Sequence, residues 1–148
     1  MRIMAIDYGD ARTGLAISDP TGVLTGPVKT IVSRKREEAA KEICAVVREY
    51  NVALLVLGYP KNMNDTLGDR AKKSEEFAVL LREESGLPVV LWDERRTTVD
   101  AHRILSQQGV RGKKRKAKVD ALAAALILEG FLAYRKEHKE EDGEGGFH

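Results

Sequence analysis

The chain has 148 residues, a net charge of +2 and 43% hydrophobic residues, which suits one domain with one core and excludes a globally basic nucleic-acid binder. Its single cysteine, Cys44, excludes an internal disulfide and a cysteine-cluster metal site, and fits a reducing cytoplasm. No apolar run reaches membrane-spanning length and the opening Met-Arg-Ile-Met-Ala-Ile-Asp lacks the apolar core of a secretion signal, so a soluble cytoplasmic protein with no membrane partner is expected.

The stretches "RIMAID" (2–7) and "TGLAIS" (13–18) read as two short strands around a polar, Gly-containing turn, hence a hairpin. A third extended segment, "GPVKTIV" (26–32), follows a loop punctuated by Pro and Gly. From Arg36 to Tyr50, the positions Ala39, Ala40, Ile43, Cys44, Val46 and Val47 recur at helical spacing. The run "VALLVLG" (52–58) is too short and too uniformly apolar for an amphipathic helix, and reads as a buried strand. Leu67, Ala71, Phe77, Ala78 and Leu81 predict a helix ending near Gly86, and "LPVVLW" (87–92) a fifth strand.

Thr97 or Thr98 can cap a further helix bearing Val99, Ala101, Ile104 and Leu105. The basic stretch "GVRGKKRKAK" (109–118) reads as a loop, and Asp120 to Tyr134 as the last helix. Residues 137–148 carry charge and Gly but almost no apolar side chains; they read as a disordered tail beyond a domain of residues 1–136.

Three closely connected strands followed by alternating helices and strands imply an α/β fold. Its mixed five-stranded sheet is an antiparallel meander continued by parallel crossovers, with helices on its faces. The first strand and the two uniformly apolar ones are expected at its centre, with their C-terminal ends together.

Those ends carry acids. Asp7, the Asp93-Glu94 pair and Asp120 each have an ordinary explanation, as turn residues or a helix cap. Three acids from separated segments at one edge of a sheet nevertheless repel unless a cation holds them, and hard oxygen donors suit Mg²⁺ or Mn²⁺. The run containing Arg111, Lys113, Lys114, Arg115, Lys116 and Lys118 leads directly into Asp120. Cations beside a metal-carboxylate cluster are what a phosphodiester substrate requires.

The segments "IDYGDARTGLAISD", "VLGYPKNMNDTLGDRA", "WDERRTT" and "VDALAAALIL", in this order, resemble the YqgF (RuvX) family of ribonuclease H-like proteins over nearly the whole chain. The resemblance implies a ribonuclease H-like fold and a nuclease maturing the 5′ end of pre-16S ribosomal RNA in the cytoplasm, so precursor rRNA is the expected partner. Relatives include Holliday-junction resolvases, which makes branched DNA the alternative substrate. A non-catalytic nucleic-acid-binding protein is a further alternative.

By the same resemblance, Asp7, Glu94 and Asp120 are metal-binding, catalytic acids around two Mg²⁺ or Mn²⁺ ions. Gly9, Arg12, Gly14, Ser18 and Asp19 match the family's first motif, and Arg95, Thr97 and Thr98 its third. Arg12, Arg95, Lys113, Lys114 and Arg115 are expected to hold phosphates, the arginines in bidentate fashion. The chain departs from the pattern at Arg96 and at Tyr59. Resolvase relatives also carry an acid at the end of the fourth strand, where this chain has Gly58-Tyr59-Pro60, so Glu94 is expected to substitute from the fifth. Monomer and homodimer both remain open.

Overall fold

Sheet formation starts from a hexamer. In β1 (Arg2–Asp7), Ile3 and Ala5 face one way, Met4 and Ile6 the other, and all four are fully buried. Such a strand needs cover on both faces and a neighbour at each edge. The computed structural model supplies both; it describes residues 1–59, 69–93 and 112–139, with side chains at 1–59, 71–93 and 121–137. β2 (Arg12–Ser18) pairs antiparallel with β1, and β3 (Thr25–Val32) antiparallel with β2. On the other side, β4 (Val52–Tyr59) runs parallel to β1, and β5 (Val89–Asp93) parallel to β4. The order is β3-β2-β1-β4-β5.

Helix α1 (Arg36–Tyr50) has Glu37 and Glu38 in its first turn and Arg48 in its last, each favourable to the helix dipole, and ends on Asn51 in the left-handed region. Helix α2 (Asp69–Ser85) stops at Gly86, whose φ of 72° only glycine adopts without strain, and the Gly86 N–H donates to the Arg82 carbonyl. These two helices pack on each other and on the face bearing Met4, Ile6, Leu15, Ile17, Leu55 and Leu57, with Phe77 fully buried between the layers. Helix α3 (Gly112–Lys139) covers the other face. Its Ala124, Ile127, Leu128 and Phe131 form one helical stripe against Ile3, Ala5, Ala16, Leu54, Val56 and Trp92. Trp92 meets Phe131 edge to face at 5.6 Å. No helix among the described residues is long and apolar enough to cross a membrane.

The mixed five-stranded sheet flanked by helices is as the sequence implies. Two expectations are corrected. From Gly112 on, the basic run is not a loop: α3 is already helical there, eight residues before Asp120, and it continues to Lys139. Lys, Arg and Ala are good helix formers, and charge alone does not make a loop. β5 is also not central but closes one edge of the sheet. A uniformly apolar strand reports that its faces are covered, which Trp92 and Val89 satisfy, and carries no information about its edges. Leu67, residues 62–68 and the helix expected after Thr98 lie outside the described residues.

The start of β1 depends on a side chain. The β1–β4 register shifts between Arg2 and Ile3, and the β2–β3 register between Ala16 and Ser18. Where the ladder falters, Ser18 Oγ accepts the Ile3 N–H at 2.8 Å and donates to the Asp19 carbonyl at 2.9 Å. Ser18 is 1% exposed, so no water replaces it. Ser18→Ala strands a buried N–H and is expected to lower unfolding free energy by about 1–3 kcal/mol. The check is a shift of the denaturant midpoint at constant m-value.

Candidate functional site

Asp7 ends β1, and its surroundings follow from register. Gly14 of β2 is its antiparallel partner, and the parallel pairing of Ile6 with Leu57 carries Gly58 of β4 to its other side. Alternation assigns Asp7 to the α3 face, with Ile3 and Ala5; it assigns Gly14 to the same face with Ala16, and Gly58 with Leu54 and Val56. The acid is thus flanked, on its own face, by two residues without side chains. Arg12 begins β2 two positions beyond Gly14, on that face and at that edge, and is half-buried.

β5 ends beside β4, with Asp93 in register with Tyr59. Asp7 and Asp93 therefore close strands two places apart, about 10 Å at the usual strand spacing. They do not share a face. Alternation groups Asp93 with Val89, on the α1 and α2 side, while Trp92 goes to α3.

The direction of α3 is fixed at its other end, where Arg135 Nη1 and the Met1 carbonyl both crowd Gly22. From Arg135 back to Asp120 the helix rises about 22 Å. β1 from Arg2 to Asp7 extends about 17 Å. The backbone of Asp120 therefore lies at the Asp7 end of the sheet, one turn before Ala124. Lys113, Lys114 and Arg115 occupy the first turns of α3, beyond that edge. Glu94 and Arg95 lie outside the described residues, as do the side chains of Asp120 and of the three basic residues. Among the described residues no three potential metal ligands cluster.

Behind this edge stands a layer that sequence reasoning missed. Tyr8, next after Asp7, turns to the opposite face and stacks on Phe77, with centroids 3.9 Å apart and rings 6° from parallel; burial pushes its hydroxyl pKa up. The Tyr59 hydroxyl donates to Glu75 Oε1 of α2 at 2.5 Å, which raises its pKa as well. Arg36 pairs with Glu76 at 2.6 Å, and Lys73 with Asp10 at 3.3 Å, tying α2 to α1 and to the β1–β2 turn. These last pairs are exposed and screened by solvent, so they contribute little to stability. The available signal was parity: Tyr8 continues the row Met4, Ile6. Cys44 is a buried core thiol whose pKa burial pushes up, which makes it a poor nucleophile.

Residues 1–134 match the family described as RuvX, Holliday junction resolvase. A candidate pre-16S rRNA nuclease of Lachnospira eligens is 44% identical over 140 residues, which span 93% of this chain and 100% of that protein. Another from Desulfitobacterium hafniense is 45% identical over 144 residues, 97% of this chain and 100% of that one. Among solved structures, T. thermophilus RuvC in complex with Holliday junction substrate aligns at a TM-score of 0.60 and 12% identity, covering 90% of this chain and 96% of that chain. The fold is ribonuclease H-like.

The Tyr59 hydrogen bond generates a prediction. Glu75 is exposed, so in Tyr59→Phe water takes over its solvation, and the loss is expected to stay near 1 kcal/mol. The pH dependence is more specific. The folded state holds Tyr59 protonated above its ordinary range, so its contribution is complete below pH of about 10, the unfolded value. It is lost as pH rises from there through the higher folded value. Stability curves of wild type and Tyr59→Phe between pH 8 and 11, about the range where tyrosines begin to titrate, should converge at the alkaline end.

Proposed function

The chain belongs to the RuvX family, and from that membership we propose that it is a divalent-metal-dependent nuclease acting on precursor 16S ribosomal RNA in the cytoplasm. The observation that carries the reading is the position of Asp7: it ends the middle strand of the sheet, on the α3 face, between Gly14 and Gly58, with the backbone of Asp120 at the same end. Gly14 and Gly58, its strand neighbours on that face, carry no side chain that would crowd the carboxylate. That setting and an all-oxygen donor set suit Mg²⁺ or Mn²⁺.

In this reading Asp7, Glu94 and Asp120 hold the metal. Asp93 belongs to the opposite face, which is the reason to assign the third acid to Glu94. When bound, the divalent ion supplies an activated water and charge stabilisation for phosphodiester hydrolysis. Arg12, on the face and edge of Asp7, and Arg95 grip phosphate oxygens with planar, two-pronged guanidinium groups. Lys113, Lys114 and Arg115 add attraction independent of sequence. They stand at a helix N-terminus with no acid in its first turn, where cations oppose the helix dipole. A nucleic-acid phosphate there relieves an unfavourable field, and this supports a role in binding over a role in helix stability.

The family's description as Holliday junction resolvases favours a second reading, in which branched DNA is the substrate. Cleavage assays with Mg²⁺ or Mn²⁺ on matched precursor RNA and four-way DNA junctions separate the two. Turnover on RNA alone supports the first, turnover on junctions alone replaces it, and turnover on neither leaves a binding protein.

Two sets of variants test the residues. Asp7→Asn keeps size and hydrogen-bonding capacity but removes a metal-holding charge, so cleavage should vanish while the melting temperature of the metal-free protein holds or rises, because carboxylate repulsion falls. A folded Asp7→Asn protein that cleaves at the wild-type rate overturns the mechanism. Replacing Lys113, Lys114 and Arg115 together by Ala should weaken binding to all sequences alike. The slope of log affinity against log salt should flatten by about 2 to 3, the share of three phosphate contacts. Affinity measured from low to moderate salt checks it.

A further inference from the structure

The sheet edge that carries Asp7 also carries a basic segment far in sequence from the start of α3. β3 runs antiparallel to β2, so its C-terminal end arrives at this edge: Thr30 pairs with Gly14, the partner of Asp7, and Val32 pairs with Arg12. The chain then turns through Ser33-Arg34-Lys35 into α1. This turn is held in place. The Ser33 N–H donates to the Ala11 carbonyl of the β1–β2 turn at 3.0 Å, and Ser33 Oγ accepts the Lys35 N–H at 3.3 Å and donates to the Lys35 carbonyl at 3.1 Å. Arg34 lies four residues beyond the row of Asp7 and two strands to its side, within about 17 Å of it at ordinary strand dimensions.

Arg34 and Lys35 are exposed, and among the described residues neither makes an ion pair. The acids around them have other partners. Arg36 pairs with Glu76 at 2.6 Å and lies 3.8 Å from Glu37, Lys73 takes Asp10 at 3.3 Å, and Glu38 stands 3.3 Å from the Ser33 hydroxyl. Nor do the two cations serve α1. Lys35 is its N-cap residue but makes no side-chain capping bond, Glu37 and Glu38 already suit the dipole, and positive charge at that end opposes it. Two cations fixed beside Arg12 with no task inside the protein are placed to meet phosphates.

Helices α1 and α3 cover opposite faces of the sheet, yet both begin at this edge. We infer that Arg34 and Lys35 bind phosphates of the substrate strand that flank the point of cleavage, so that the nucleic acid crosses the sheet edge from the start of α3, over Asp7 and Arg12, to the β3–α1 turn. The inference rests on the nuclease reading for what happens at Asp7 and adds the course of the strand. Exposed cations without a pocket around them grip the backbone and carry no sequence preference.

The test is metal-free affinity for single-stranded RNA of mixed sequence and for a four-way DNA junction, taking whichever probe the wild type binds more tightly. Arg34→Ala with Lys35→Ala should weaken binding severalfold at low salt and leave the melting temperature unchanged. The slope of log affinity against log salt should flatten by about 1 to 2, the share of two phosphate contacts. Arg135→Ala with Lys136→Ala removes the same charge at the opposite end of the sheet and should leave affinity and slope near wild type. Equal losses for the two pairs report net charge alone and overturn the inference, as does wild-type affinity and slope in the Arg34 and Lys35 variant. If that variant binds normally while alanine at Lys113, Lys114 and Arg115 weakens binding, the course of the strand is wrong and the nuclease reading stands. If neither set matters, the nucleic-acid reading of the whole edge falls with it.

Discussion

The structure depends on the in-out alternation of one strand held between two covered faces. β1 lies at the middle of the sheet, so residues 4 and 6 must satisfy the α1 and α2 layer while 3 and 5 satisfy α3. Once those four side chains are placed, the next two have no choice. Asp7 goes to the α3 face and Tyr8 to the opposite one, where Phe77 receives it. A slip of one residue would drive Asp7 toward Phe77, in a core where a carboxylate costs several kcal/mol, of the order known for buried unpaired ions. The burial that makes the strand stable also aims the acid.

The same constraint decides which neighbours matter. Parallel pairing brings the C-terminal ends of β1, β4 and β5 to one edge, and register determines that Asp7 is met there by Gly14 and Gly58. Asp93, although charged and at the same edge, is excluded by parity. Tyr59 shows the complementary case. Its backbone stands at the site edge, but its side chain turns away to Glu75, so it braces β4 against α2 without facing the acid.

Most of the strands were legible because their signal is local: a short apolar run bounded by Gly, Pro or Asp has few alternatives, and β1 and α1 keep the limits read from the residues. What escaped was relational. Apolarity of "LPVVLW" cannot say whether its edges are paired, and β5 took the border of the sheet. The basic run escaped for a different reason, since Lys and Arg are common in loops yet also favour helix, and only continuity with the stripe Ala124–Phe131 extends α3 back to Gly112. Asp7 and Asp120 were singled out from their expected places at element ends and Arg12 from the family's first motif; Asp7 does end β1, whereas Asp120 lies within α3, its backbone at the Asp7 end of the sheet. The Tyr59–Glu75 bond joins two elements whose spacing no local pattern encodes.

Helix α3 joins the two ends of the molecule, and its length has a physical consequence. Its 28 residues extend about 42 Å, whereas β1 beneath it extends about 17 Å. It must overhang the sheet, and both overhangs are cationic. The two are not equivalent. At the C-terminal end, Arg135 and Lys136 lie near backbone carbonyls whose dipole already favours positive charge. At the N-terminal end, Lys113, Lys114 and Arg115 stand where the dipole opposes them, so their charge destabilises the helix that carries them. About three turns of packing, from Ala124 to Tyr134, hold such an end in place at that cost. The two ends of one helix thus stand in opposite relation to its dipole, and the apolar stripe between them, rather than either end, fixes its place on the sheet.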